Sequence, residues 1–385
     1  MLLALAMILA ACGGAQEPAA TDEAAPVEET EESDDADDSD DADEANDADD
    51  GEAFYEGETI EVIVPYGAGG GTDIIGRFLA EWYSQFIDGE PTVQVINVPG
   101  GGSIVGANQF ELQSPRDGSV LMLTASSNLI LAGLGHPEVR YDPSGWVPVL
   151  GGPQNAVVFV RSDLGLEEDS SNALDLEYVA AMREAGGVDL LYLIAYDLLG
   201  IDVNPVFGYE SAGATRTALE QGESNIEWSS TPGYLQDVVP QIEAGDLEPW
   251  FTMGVPQADG SLGRPQAHPD LPTIEEVYED IHGEAPSGEK WDIYRAMNSV
   301  VFTSQRVLWL HDDAPQGAID AWTDASVRLS ESDEFMEAAF EVLGPYDVLV
   351  GDDLEAIRGD LTLDPGPAEY VLEFLRDNYD YELGG

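Results

Sequence analysis

The apolar and polar positions of residues 57–385 fall into a repeated order of short strand, turn and helix. Thr59–Val64 (TIEVIV) is a β-branched run that predicts a strand, and Pro65–Gly71 behind it is a glycine-rich turn. Thr72–Tyr83 then carries Ile74, Ile75, Phe78, Leu79, Trp82 and Tyr83 at helical spacing. A second strand is predicted over Thr92–Asn97, then a glycine loop (Pro99–Ser103) and a helix to about Gln113. A third strand, Val120–Thr124, ends in a Ser126-Ser127-Asn128 turn. Val157–Val160 and Val300–Thr303 predict later strands. Ile319, Trp322, Ser326 and Leu329 predict one helical face, and Tyr370, Val371, Phe374 and Leu375 another. Strand and helix in alternation predict an α/β fold with a parallel sheet covered on both faces.

Glycine loops between a strand and a helix place unpaired backbone N–H groups at the positive end of the helix dipole, where a carboxylate or phosphate fits. In the first loop Thr72 can cap the helix or donate to an anion, and Asp73 can cap or orient a polar group of a ligand. A plain strand-to-helix turn remains the alternative. The spacing G-x-G-x-x-G from Gly67 would need glycine at 72, where Thr72 stands, and no Gly-Lys-Ser/Thr follows. Both glycine loops and the Ser126–Asn128 turn fall at the carboxyl ends of predicted parallel strands, the edge where open α/β sheets bind ligands.

Catalytic and metal chemistry find little support. His136, His268, His282 and His311 are scattered in polar or proline-flanked contexts and are expected at the surface. None belongs to an H-E-x-x-H pair, and no G-x-S-x-G elbow occurs. Neither a catalytic set nor a cofactor is predicted.

The chain has 77 acids against 13 bases, a net charge of −64, and Lys290 is its single lysine. Charge will not hold such a chain on nucleic acid or an anionic membrane. With 43% apolar residues it can still bury a core, and 385 residues suggest about two domains. Residues 13–52 hold 19 of the acids and no base, so residues 53–385 carry 58 acids against 13 bases, or −45. Residues 13–56 are predicted to be a disordered acidic tether. The acidity of the remainder is expected of a hydrated surface adapted to salty surroundings. Residues 1–12 (MLLALAMILAAC) form an apolar run too short to span a membrane, ending in small residues before Cys12, as a signal peptide would. Leu9-Ala10-Ala11-Cys12 resembles the bacterial lipobox, which implies lipidation of Cys12, although no base precedes the run. As the lone cysteine, Cys12 excludes an intrachain disulfide framework.

Several motifs then occur in the order of one family. VPYGAGGGTD (Val64–Asp73), VINVPGGGSIVGANQF (Val95–Phe110), DGSVLMLTASSN (Asp117–Asn128), RYDPSGWVPV (Arg140–Val149) and HPDLPTIEEV (His268–Val277) resemble the extracytoplasmic solute receptors of the tripartite tricarboxylate transporter family. The resemblance covers about residues 57–380. It implies a two-lobed periplasmic-binding-protein (type II) fold closing on a small organic acid, with lobe 1 expected over 57–156 and 298–385 and lobe 2 over 157–297. It also implies that the first loop, Tyr66, Gly67, Ala68, Gly69, Gly70, Gly71, Thr72 and Asp73, holds a ligand carboxylate through backbone N–H groups, with Ser126, Ser127 and Asn128 bordering the pocket. The implied partners are the ligand and membrane permease subunits, the lipid anchor keeping an extracytoplasmic, monomeric receptor near them.

One departure from the family is expected. Leu176–Ala185 reads as a helix separated by Gly186-Gly187-Val188-Asp189 from the next, Leu190–Gly200. Four residues cannot supply a strand at about 3.3 Å per residue and two turns. Lobe 2 is therefore predicted to lack one strand and one anion-binding loop, with Gly186 and Gly187 forming a helix–helix turn. The remaining candidates in that lobe are Tyr209 and Ser211 (GYESAGATR) and Ser229, Ser230 and Thr231 (EWSSTPGY). Arg216 is either solvated on a helix or a partner for a ligand carboxylate. A sensor or partner-binding lipoprotein on the same scaffold is the competing reading, and the expected gap in lobe 2 is its support.

Overall fold

The computed structural model describes residues 53–257, 259–354 and 365–383. The apolar run 1–12, Cys12 and the acidic stretch to residue 52 lie outside the described residues. The first half builds β1 (Thr59–Val64), α1 (Gly71–Phe86), β2 (Thr92–Asn97), α2 (Ile104–Gln113), β3 (Val120–Thr124), α3 (Ser126–Gly133) and β4 (Trp146–Gly152). The chain then enters a second sheet with β5 (Ala156–Arg161), β6 (Tyr178–Ala181), α4 (Asp189–Leu199), β7 (Val203–Val206), α5 (Ala212–Glu220) and β8 (Ile226–Ser230). Two short helices follow, α6 (Thr231–Gly233) and α7 (Val239–Ala244), joined by a π-type turn. Then come β9 (Leu247–Thr252), the small hairpin β10 (Val255–Pro256) and β11 (Leu262–Gly263), and helices α8 (Ile274–His282) and α9 (Glu289–Thr303). The chain returns to the first sheet with β12 (Arg306–His311), followed by α10 (Gln316–Ser330) and α11 (Asp333–Leu343).

The two sheets repeat one plan. Strand order is β2-β1-β3-β12-β4 in the first and β7-β6-β8-β5-β9 in the second. In each, three parallel strands are followed by a strand that enters antiparallel straight from the other lobe, β12 or β5. Lobe 2 is therefore not short of a strand. Leu176–Met182 is rich in residues that favour helix, and its apolar positions also fit a helix. Pairing decides the outcome: Tyr178–Ala181 lies in register with Val203–Val206, and Ala180 pairs with Ile226. With the strand ending at Ala181, residues 182–188 form a strand-to-helix loop before α4. Gly186 and Gly187 belong to that loop and not to a helix–helix turn.

Other boundaries also move. Val300–Thr303 is the end of α9, and the strand lies at Arg306–His311, buried between β3 and β4. The two apolar runs are separated by Ser304, Gln305 and Arg306 alone, so composition blurs them. Ser126–Asn128 opens α3 and is not a free turn. The C-terminal helix, Pro365–Tyr379, packs Val371, Phe374 and Leu375 into the lobe-2 core with Leu191, Tyr294 and Met297, although it follows lobe-1 elements in the chain. His136, His268 and His311 are buried, against expectation, and only His282 is exposed. Their rings are absorbed by local bonds: His311 Nε2 meets the Phe110 carbonyl, and His268 Nε2 meets Thr231 Oγ1. Among the described residues no helix is long and apolar enough to cross a membrane.

Candidate functional site

The first loop runs from the end of β1 to the start of α1. Gly70 is the N-cap of α1 and no side chain caps it. Thr72 is the second helical residue and does not act as the cap. The first N–H groups of α1, at Gly71 and Thr72, have no acceptor within the helix. Asp73 shapes this loop from below. Its carboxylate accepts from Gly69 N (3.0 Å), Arg77 Nε (3.1 Å) and Asn97 Nδ2 (2.9 Å). Burial acts to raise its pKa, but the bonds from Arg77, Gly69 and Asn97 outweigh it and hold the carboxyl below the ordinary range. Asp73 is thus engaged within the loop and is not left to orient a ligand.

Lobe 2 meets this loop directly. Gly67 N donates to the Glu210 carbonyl (3.4 Å), while Ser211 Oγ caps α5 by accepting from Ala214 N (3.2 Å). A Cβ on Gly71 would stand 2.2 Å from Ser230 Oγ and 3.3 Å from Arg306 Nη2, so close approach of the lobes requires glycine there. A residual cavity of about 20 Å³ remains between them, lined by Tyr66 and Gly70–Thr72 of lobe 1, Arg183, Trp228, Ser229 and Ser230 of lobe 2, and Arg306. That is room for about one water. A second cavity of about 260 Å³ shares Tyr66 and Arg183 and continues along Gly100–Ser103, Glu184, Tyr209 and Glu210.

Arg306 is the feature the residue pattern did not disclose. It opens β12 just after the chain re-enters lobe 1, and it is 8% exposed. Its Nη1 donates to Gln305 Oε1 (2.8 Å) and its Nη2 makes a long contact with Ser230 Oγ (3.4 Å). Nε has no hydrogen-bond partner in the protein. Among the described residues no carboxylate pairs with it. Burial lowers its pKa to about 10, and the neighbouring Arg183 charge adds to the effect. It remains cationic at neutral pH. Tyr66 Oη, also buried, has no hydrogen-bond partner either.

Arg183 is treated differently. Its guanidinium donates to both Asp189 oxygens (Nη2 2.6 Å, Nε 3.2 Å) and lies 4.4 Å over the Trp228 ring, which stacks on Tyr192. Burial opposes its charge, but the Asp189 carboxylate more than offsets that and raises its pKa. Arg216 is buried and ion-paired with Glu227 (2.8 Å), so it is not solvated, and it lines neither cavity.

The structure therefore brings together Tyr66, Gly70, Gly71, Thr72, Ser229 and Ser230, with Tyr209 along the outer cavity. Gly67 and Ala68 abut Ser211 and Gly213, and Gly69 is tied to Asp73. Thr231 binds the Asn155 carbonyl and lies off the cavity. The α3 residues line neither cavity. Ser126 Oγ donates to Gln305 Oε1 (3.1 Å), which in turn holds Arg306; Ser127 Oγ accepts from Val188 N (2.9 Å); Asn128 Oδ1 accepts from Ala125 N. Arg183, Trp228, Gln305 and Arg306 were missed. The available signal was an arginine set directly before a wholly apolar run, VLWL, in a chain with few bases.

No protein-family model matches the chain. Protein BugT of Bordetella pertussis is 35% identical over 88 residues, 23% of this chain and 26% of that protein. The chain thus matches about a quarter of the length of this curated relative. The periplasmic binding protein BugD superposes with a TM-score of 0.60 at 20% identity, covering 84% of this chain and 98% of that one. The fold is that of the periplasmic binding proteins. The R. palustris protein Rpa4515, solved with adipate, matches at TM-score 0.63 and 17% identity over 82% of this chain and 97% of that one. MatC from Rhodopseudomonas palustris, solved with malate, matches at 0.57 and 18% over 84% and 98%. BugD is a periplasmic binding protein, in keeping with the receptor family whose ordered motifs the chain resembles.

Proposed function

We propose that this chain is an extracytoplasmic solute-binding lipoprotein, anchored through Cys12, that captures a small organic carboxylate between its lobes for the permease of a tripartite tricarboxylate transporter. The observation that carries the reading is Arg306. A buried guanidinium without a carboxylate partner, 3.3 Å from where a Gly71 Cβ would stand, is an uncompensated cation beside the uncapped N-terminus of α1. Burial of a charge is tolerated when a counter-ion arrives, and a ligand carboxylate supplies one. Ser229, Ser230 and Tyr66 add hydroxyl donors around it. Malate and adipate on two proteins of this fold make carboxylates the first class to test. The sensor reading loses the support it drew from a gap in lobe 2, since β6 and its loop are present.

The test is calorimetric titration of the purified protein with mono-, di- and tricarboxylates at low and high salt. Saturable binding of at least one of them is expected. No heat from any carboxylate under either condition would sink the proposal.

A further inference from the structure

The loop that lobe 2 presents in the place corresponding to the first loop already holds a carboxylate of the chain itself. It runs from the end of β6 to α4, as the first loop runs from β1 to α1. Asp189, 1% exposed at the start of α4, folds back into it. Its oxygens accept from Arg183 N (2.7 Å), Glu184 N (3.3 Å), both arms of the Arg183 guanidinium and Trp228 Nε1 (2.8 Å). Backbone N–H groups, a bidentate arginine and an indole are the donor set that would hold the far carboxylate of a diacid, and Asp189 saturates it.

Resting on the carboxylate-binding reading above, we infer that Asp189 is a specificity-determining residue and that the cleft takes a monocarboxylate, with a neutral end directed to lobe 2. Three further observations agree. Only Arg306 remains uncompensated at the inner cavity, which matches a ligand carrying one negative charge. The outer cavity, where the far end of a longer ligand would lie, is lined by Glu184 and Glu210, which oppose a second carboxylate. The unpartnered Tyr66 Oη lines both cavities and can hydrogen-bond a neutral oxygen or nitrogen there.

The experiment compares the whole protein with its Asp189→Asn variant by calorimetry, using propionate, lactate and pyruvate against succinate and malate. The wild type is expected to bind its best monocarboxylate at least tenfold tighter than either diacid. Asparagine keeps the shape but leaves Arg183 uncompensated, so the variant should shift that ratio at least tenfold toward the diacids. A wild type that prefers diacids overturns the inference and leaves carboxylate binding intact. So does a folded variant with an unchanged ratio. If the variant fails to fold, the wild-type ratio alone decides. Absence of binding to every acid instead defeats the underlying reading.

Discussion

Replacing Arg306 with glutamine should move stability and ligand affinity in opposite directions. The guanidinium donates through Nη1 to the Gln305 side-chain and backbone oxygens, makes a long contact to Ser230 and leaves Nε unpartnered. Burial takes its pKa well below the ordinary arginine range, to about 10. At 1.36 kcal/mol per pH unit, the buried charge costs the fold about 3 kcal/mol. For a base with a lowered pKa this cost is fully present below about pH 10 and fades only as pH rises above that toward the ordinary arginine range. Glutamine removes the charge and forfeits the two Gln305 contacts, together worth about 2 kcal/mol. The unliganded variant should therefore gain about 1 kcal/mol and melt slightly higher. Its affinity for a carboxylate should fall, because the anion no longer offsets a buried cation; about 3 kcal/mol corresponds to about a hundredfold in Kd. Scanning calorimetry without ligand and titration with the best carboxylate read the two effects separately. A variant that melts lower than wild type and binds equally well would show that Arg306 is a structural cation and refute the reasoning.

Gly71→Ala places a methyl against Ser230 Oγ and Arg306, so the lobes cannot approach as closely. Ligand affinity should drop at least tenfold by titration while the circular dichroism spectrum and melting temperature stay close to wild type. His268 is held neutral by burial, with its pKa lowered to about 4. The unfolded chain therefore binds a proton that the fold does not between pH 6.5 and about 4, and stability falls with pH across that window, by up to about 3 kcal/mol from this group. His268→Gln should flatten that part of the urea-denaturation profile relative to wild type; identical slopes would show that the ring titrates normally. With 58 acids against 13 bases beyond residue 52, self-repulsion should be screened by salt. The melting temperature is expected to rise steadily from 0.1 M to about 2 M sodium chloride, where the screening length falls to a few ångströms, and a flat profile would remove the argument for salt adaptation.

The part of the fold that was legible is the part where local chemistry and tertiary context agree. β1, β2 and β3 are β-branched or apolar runs punctuated by glycine, and they lie where the pattern puts them. β6 was hidden because Ala180, Ala181 and Met182 favour a helix, while the decisive facts, pairing with β7 and β8, involve residues more than twenty positions away. β12 merged with α9 because a strand buried on both faces has no alternation to mark its start. Gly70, Gly71 and Thr72, marked in the sequence by a glycine turn opening a helix, line the inner cavity. Arg306 was not legible, since what distinguishes it is a missing partner, and a missing partner is a property of the folded neighbourhood. Asp73 and Arg216 show the converse: each is of the right type to meet a ligand, and each is already paired with an opposite charge inside the protein.

Arg306 stands just beyond the segment by which the chain crosses back from lobe 2, and Arg183, contributed by lobe 2, is near enough to depress its pKa. Asp189 compensates Arg183, so the charge left without a counter-ion where the lobes meet is that of Arg306. Burying Arg306 between the lobes is costly until something negative sits beside it. A neutral molecule of suitable size would fill the space and leave that charge unbalanced. If the proposed function holds, Arg306 would act as a charge filter, coupling the approach of the two lobes to the sign of the bound molecule before its shape.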